Sequence, residues 1–489
     1  MIENILTGFA LVFTLKGLIG IGTGILVGYI VGAMPGLTSS IGMALLIPFT
    51  FGMDPIAAIV MLVTIYMAAD FGGAIPAILV NAPGQPAAAV TAFDGFAMTQ
   101  RGEAGKALNI SIMSSTVGAL LSVLFLVATA QTMASAALAF GPAEYFGLAV
   151  VGLSLIAVLS TASTMKSLIG LVFGLTIITI GIDPISGASR FVFHWSLIDG
   201  IPFLPALIGL FALSEVFLMI EDGNRKPFKA RTDAALDLSL RTAWPFRRTI
   251  LRSSVIGYVV GVIPGAGATI ASLISYGVAK KFSPTGESFG RGDPEGVAAA
   301  EAANNASVSG ALAPLLSLGV PGSASAAVLI GGLTIQGLQP GPMLFANNPE
   351  VPYSIFVALF VGLPVMVVIG FAGVPLWVRL TQVPKPIVAT VVTSIAMLGA
   401  YASANSSFEM MVTAVFGVIG YLLRKADIHP APIVLALVLG DMMEANLRRA
   451  LITSNESFLF LLTKPITAGL LLAAAIILLS PLFTRRRMA

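Results

Sequence analysis

The sequence predicts an all-α polytopic membrane protein of two repeated halves, with broken helices or re-entrant hairpins in each. Three observations predict it. The 489-residue chain is 57% hydrophobic and only 10% charged, whereas soluble domains carry about 25% charged residues. Apolar runs of roughly 20 residues, long enough to span a bilayer core, recur along it, as at 108–128, 144–160, 355–378 and 465–482. A glycine-rich phrase broken by Pro-Gly occurs twice, as GYIVGAMPGL from Gly28 and GYVVGVIPGA from Gly257. A β-barrel would show short alternating segments instead.

The N-terminus, MIENILTGFALVF, lacks a basic stretch and a small-residue cleavage site, so it does not read as a removable signal peptide. The first glycine-rich run stops at Pro35-Gly36, because proline removes a donor and clashes with the preceding turn. Thr38, Ser39 and Ser40 follow. Irregular backbone at membrane depth survives only inside protein or beside a watery cavity. There, free amides and a new helix N-terminus hold an anion without a basic side chain. The alternative is a glycine face for close helix packing, with the proline as a kink. MDPIAAIVMLVTIYMAADFGG, from Met53, stays apolar until Asp70. An acid there is a candidate ion or proton site, or a cap for a short helix after it. GGAIPAILVNAPGQPAAAV, from Gly72, has a proline, a seven-residue step to Pro83-Gly84, then an apolar restart. It reads as two short helical pieces meeting at a loop decorated by Asn81 and Gln85, or as an ordinary surface loop with capping residues. Glu144 reads as a cap and Asp183-Pro184 as a turn.

Residues 221–252 hold eight Lys/Arg (Arg225, Lys226, Lys229, Arg231, Arg241, Arg247, Arg248 and Arg252) against four acids. This segment reads as a cytoplasmic linker between membrane repeats at 1–220 and 253–489. Arg485, Arg486 and Arg487 favour the same side, while Arg379, Lys385, Arg424 and Lys425 leave the full topology open. With no cysteine, and His194 and His429 the only histidines, disulfides, thiol catalysis and a zinc cluster are not expected. The net charge of +3 gives no sign of a nucleic-acid partner.

The second half repeats the landmarks of the first in order. Pro35-Gly36 corresponds to Pro264-Gly265 and Asp54-Pro55 to Asp293-Pro294. Gly72, Pro76, Pro83 and Gly84 correspond to Gly310, Pro314, Pro321 and Gly322, and Val172-Phe173-Gly174 to Val415-Phe416-Gly417. The polar stretch 280–292 is an insertion without a counterpart. A repeat this long is no solenoid unit. In membranes it marks a secondary transporter, whose halves often have inverted topology. Gly267 and Thr269 follow the second Pro-Gly break; Ser323 and Ser325 follow Pro321-Gly322. GDPEGVAAAEAANNASVSG, from Gly292, starts a helix at Asp293-Pro294 and then places Glu301, Asn304, Asn305 and Ser307 among alanines. These are candidate ion ligands, or the polar face of a solvated helix. Glu215, Asp441 and Glu444 lie near the ends of apolar runs, the last two beside Arg448-Arg449, and read as partners in interfacial ion pairs. A Walker loop, HExxH and GxSxG are all absent, so neither an ATPase nor a known hydrolase pattern is indicated.

The chain resembles the large membrane subunit of the tripartite tricarboxylate transporters over nearly its whole length. The phrases that carry this are VGAMPGL from Val31, NAPGQPAAAVTAFDGFAM from Asn81 and RSSVIGYVVGVIPGAGATIAS from Arg252. EAANNAS from Glu301, LGVPGSASAAV from Leu318 and EANLRRAL from Glu444 complete the set. Thr38 stands where the family often has glycine, Asp70 where it often has glutamate, and Ala300 where it usually has proline. The resemblance implies ion-driven uptake across the bacterial inner membrane, with a small membrane subunit and a periplasmic solute-binding protein that delivers an organic carboxylate such as citrate.

The expected substrate site comprises Pro35, Gly36, Thr38, Ser39, Ser40, Asn81, Pro83, Gly84, Gln85, Gly265, Gly267, Thr269, Pro321, Gly322, Ser323 and Ser325. Asp70, Glu301, Asn304, Asn305 and Ser307 are the expected coupling residues for Na⁺ or H⁺, with no other metal or cofactor. The rival readings are a stand-alone carboxylate permease or exporter, a membrane-embedded enzyme and a scaffold. An enzyme would cluster His, Asp or Arg at one interface, and a scaffold has no need of paired broken helices.

Overall fold

The computed structural model describes residues 2–159, 163–183, 185–221, 240–454 and 457–485. Arg225, Lys226, Lys229 and Arg231 of the basic segment, with Pro184, Arg486 and Arg487, lie outside the described residues.

α1 (Ile2–Val12) and α2 (Leu15–Ala33) are followed by the short α3 (Ser39–Leu46). Asp54 starts α4 (Pro55–Val80) by accepting the amides of Ile56 and Ala57, with proline at the first helical position. Next come α5 (Ala88–Gln100), α6 (Ala104–Ala137), α7 (Pro142–Leu159) and α8 (Thr164–Ile177). An antiparallel pair, β1 (Gly181–Ile182) and β2 (Ser189–Arg190), precedes α9 (Phe203–Ile208). A π-turn at Gly209–Leu213 joins α9 to α10 (Ser214–Glu221). Beyond the basic segment run α11 (Arg247–Val262), α12 (Gly267–Phe282), α13 (Pro294–Leu318), α14 (Ala324–Ile335) and α15 (Pro342–Asn347). The chain continues through α16 (Glu350–Ala372), α17 (Val374–Leu380), α18 (Lys385–Ala404) and α19 (Ser407–Lys425). It ends with α20 (Pro430–Thr453), α21 (Leu459–Thr463) and α22 (Pro465–Arg485). Among the described residues nine helical units are long and apolar enough to cross a membrane: α2, α4, α6, α7, α9 with α10, α16, α18, α19 and α20. The protein is an all-α polytopic membrane protein.

Glycine sets the closest helix pairings, as small residues do where backbones must touch. A Cβ at Gly24, Gly28 or Gly32 of α2 would lie 2.4, 2.8 or 2.3 Å from the carbonyl oxygens of Met61, Ile65 and Ala69 on α4. On α11, Gly257 and Gly261 press in the same way on the carbonyls of Ala303 and Ser307 of α13, at 2.4 and 2.5 Å. The glycine runs are therefore packing faces along their length and broken helices at their ends.

Three expectations need correction. The piece before each hairpin loop is not short: α4 has 26 residues and α13 has 25. Pro76 and Pro314 fall in the last turns of these helices. Each removes one hydrogen bond and crowds one carbonyl close to the helix end, and the helices run on through them to Val80 and Leu318. Asp70 caps no helix, since it lies inside unbroken α4. Glu301 is not on a solvated face; it is wholly buried within α13.

The inserted stretch 280–292 ties the halves together. Oδ1 of fully buried Asp94, on α5, accepts the backbone amides of Gly290, Gly292 and Asp293, each at 2.8 Å, and Oδ2 accepts the Tyr276 hydroxyl at 2.7 Å. Replacing Asp94 by alanine orphans three amides. The expected loss of stability is about 3 kcal/mol or more, measurable as a fall in melting temperature of the purified protein, with Asp94→Asn intermediate.

Candidate functional site

Each glycine-rich helix ends where its proline forbids continuation. After α2 the chain reverses at Gly36, in the left-handed region at φ +92°, and Thr38 caps α3 by accepting the Ile41 amide. After α11 it reverses at Gly265, φ +79°, and α12 begins at Gly267 with no side-chain cap, leaving its first amides free. The hairpin loops close alike. The amide of Ala82 bonds the Pro76 carbonyl at 3.3 Å, and that of Val320 bonds the Pro314 carbonyl at 3.2 Å. Asn81 and Gly319 supply the left-handed residue that such helix ends require. Gly84 then lies against the Gly32 carbonyl and Gly322 against that of Gly261.

The tips of one half reach those of the other. The Ser39 and Ser40 hydroxyls both bond Ser325 Oγ, at 2.8 and 2.9 Å, and the Tyr66 hydroxyl bonds Ser323 Oγ at 2.8 Å. Between them lies a cavity of about 250 Å³. Thr38, Ser39, Ser40, Tyr66, Asp70, Gln85, Gly265, Gly267, Thr269, Ser323 and Ser325 line it, with Ile156, Leu159, Phe211 and Leu435 as apolar wall. The starts of α3, α5, α12 and α14 thus border one volume. Asp70 is 4% exposed. Among the described residues its carboxylate has no hydrogen-bonded or ion-paired partner.

The remaining expected residues lie elsewhere. Pro35 and Gly36 form the turn behind the cavity, and Gly84, Pro321 and Gly322 are packed in the loops. Asn81 and Pro83 border a separate groove with Phe93, Phe96 and Gln100. Glu301 is outside the cavity lining and accepts hydrogen bonds from Thr91 and Ser115, the latter at 2.8 Å. Asn305 donates to Ser115 at 2.7 Å and Ser307 to the Asn304 carbonyl at 2.7 Å. The Asn304 side-chain amide is fully buried and has no partner among the described residues. Among the described residues no three His, Asp or Glu gather as metal ligands.

Sequence reasoning missed Arg424 and His429, which join the cavity lining from the α19–α20 connection. Arg424 pairs with Glu215 of α10. The Arg-Lys pair ending α19 looks like an ordinary interfacial flank, and only the fold brings it to residues almost 400 positions earlier. Tyr66 was hidden by lying within an apolar run.

A larger cavity of about 590 Å³ uses the opposite ends of α14 and α20, with Thr334, Leu437, Asp441, Glu444 and Arg448 in its wall. Arg190 pairs with Glu444 at 2.5 Å, and Arg448 with Asp183 and, at 3.4 Å, with Glu444. The Ile185 backbone amide, with Ser186 and Arg448, holds Asp183 below the usual carboxylate range. Asp183, Asp199, Asp441 and Glu444 outnumber Arg190 and Arg448 here, so this cavity is the less suited of the two to an organic anion.

Comparison with known proteins agrees with the sequence phrases. The family described as "Tripartite tricarboxylate transporter TctA family" matches residues 18–435. An uncharacterized 52.8 kDa protein from the TAR-I ttuC' 3' region of Agrobacterium vitis is 34% identical over 491 residues, covering 100% of this chain and 98% of that protein. An uncharacterized protein from the TAR-II ttuC' 3' region of the same organism is 35% identical over 234 residues, 47% of this chain and 97% of that protein. No solved structure matches. The chain belongs to the TctA family, the large subunits of the tripartite tricarboxylate transporters.

Proposed function

We propose that this chain carries a tricarboxylate or related organic carboxylate into the cell across the bacterial inner membrane, driven by Na⁺ or H⁺. A periplasmic solute-binding protein delivers the substrate, and a small membrane subunit completes the system. The observation that carries the reading is one cavity bordered by four helix starts and several hydroxyls, with the unpaired Asp70 carboxylate in its wall. Helix starts and hydroxyls bind carboxylate groups. Asp70 repels the same anion until a cation neutralises it, which links the two binding events. The two halves act as pseudo-symmetric repeats, a correspondence supported by the matching glycine contacts and helix ends of α2–α5 and α11–α14, and are inverted relative to each other in the membrane. With a cytoplasmic basic segment, Glu221 lies at the inner end of α10 and its partner Lys425 lies beside Arg424. The smaller cavity then opens inward and the larger one faces the periplasm.

Uptake of labelled citrate into proteoliposomes tests this. Accumulation is expected only with an imposed Na⁺ or proton gradient and the binding protein present. Gradient-independent uptake would remove the coupling. Undiminished uptake without the binding protein would instead favour a stand-alone permease.

A further inference from the structure

We propose that Arg424 reads the charge of the substrate: one substrate carboxylate replaces Glu215 as the partner of its guanidinium. The inference rests on the carboxylate reading of the smaller cavity and adds a residue and a selectivity rule to it. Arg424 lines that cavity and Glu215 does not, so the pair straddles its wall. Both side chains are mostly shielded, at 17% and 15% exposure. A shielded ion pair inside a membrane protein is costly to keep unless it has work to do. Arg carries five donors in a planar fork and can accept a second carboxylate geometrically.

Charge balance shows why that partner matters. Thr38 and Ser323 already cap two of the four helix starts, and Asp70 adds a negative charge, so the backbone alone gives the cavity no surplus of positive charge. With Asp70 offset by the coupling cation, the helix starts and hydroxyls take the carboxylates within their reach. The third carboxylate of a tricarboxylate is left to the guanidinium, the one Lys or Arg side chain among the described lining residues. Exchange also has a mechanical consequence. Glu215 Oε1 lies 2.8 Å from where a Cβ on Gly36 would stand, so its carboxylate packs on the Pro35-Gly36 turn. Glu215 follows closely on the π-turn at Gly209–Leu213, an irregularity often found at working sites. Drawing Arg424 from Glu215 to the substrate therefore changes the charge beside the broken end of α2. Binding is thereby signalled to a helix that carries part of the site.

The test is calorimetric binding of citrate, tricarballylate and succinate to the full-length protein in lipid nanodiscs. Arg424→Gln is expected to weaken citrate and tricarballylate by about 10- to 100-fold, the range for losing a hydrogen bond to a charged group, and to leave succinate little changed. Glu215→Gln frees the guanidinium and is expected to tighten citrate binding. The E215R/R424E exchange restores an ion pair between α10 and α19 but puts no cation in the cavity, so citrate affinity stays as low as in Arg424→Gln. Recovery of citrate affinity in the exchanged protein, or equal losses for all three acids in Arg424→Gln, would show a merely structural pair and overturn the proposal. Unaltered protein that binds none of the acids contradicts the transport reading as well. Citrate bound equally by Arg424→Gln and the unaltered protein contradicts this proposal alone.

Discussion

Asp70→Asn is expected to lower gradient-driven citrate accumulation by ~100-fold or more and to abolish the cation dependence of citrate binding. Asp70 is a buried carboxylate in the wall of the candidate substrate cavity, on a helix shielded almost throughout. Two like charges about 5 Å apart repel by ~3 kcal/mol at an effective dielectric of about 20, enough to change affinity by about two orders of magnitude. On the proposed coupling, a bound Na⁺ or H⁺ removes that repulsion, so citrate affinity is expected to rise with cation concentration. In Asp70→Asn no charge is left to neutralise. Citrate then binds without the cation, and the gradient can no longer concentrate it. Asp70→Glu keeps the charge and is expected to keep coupling. Citrate affinity measured across a Na⁺ series and a pH series separates the outcomes, and a cation dependence retained by Asp70→Asn would exonerate this residue.

Gly84→Ala is expected to have the largest structural effect. Its Cβ would stand 1.8 Å from the Gly32 carbonyl oxygen and 3.0 Å from the Gly73 Cα. Both obstacles are backbone, so no rotamer change relieves them. The loop must lift off α2, at a cost of about 3 kcal/mol or more, and it carries Gln85 out of the cavity as it moves. Gly322→Ala meets the Gly261 carbonyl at 2.6 Å and is expected to act in the same direction less severely. Melting temperatures of the two purified variants, with citrate uptake, check the order. A Gly84→Ala protein as stable as the unaltered one would show that the loop does not rest on α2 as described.

What was legible in the sequence was what local chemistry decides. Pro35 and Pro264 end their helices because the clash falls on the turn just before them, and Asp54 and Asp293 start theirs because a short acceptor meets free amides. These rules place the breaks, and the breaks place the candidate cavity. The lengths of α4 and α13 were misread because an interior proline reads as a break, whereas Pro76 and Pro314 lie close to the ends of long helices and interrupt only the last turns. Glu301 and Asn305 were legible as buried polar groups in an apolar helix, but their partners were not. Thr91 and Ser115 are roughly 200 residues away, a distance that no periodicity bridges. Arg424 was invisible for the same reason.

The chain contains no cysteine, so a single introduced thiol reports without background. Labelling of Thr269→Cys, in the smaller cavity, and Thr334→Cys, in the larger one, by a soluble maleimide therefore tests most directly whether the paired Pro-Gly tips grip the anion. Saturating citrate is predicted to slow labelling at position 269 and leave position 334 unchanged. Protection at 334 with none at 269 would place the anion away from the tips and contradict the account.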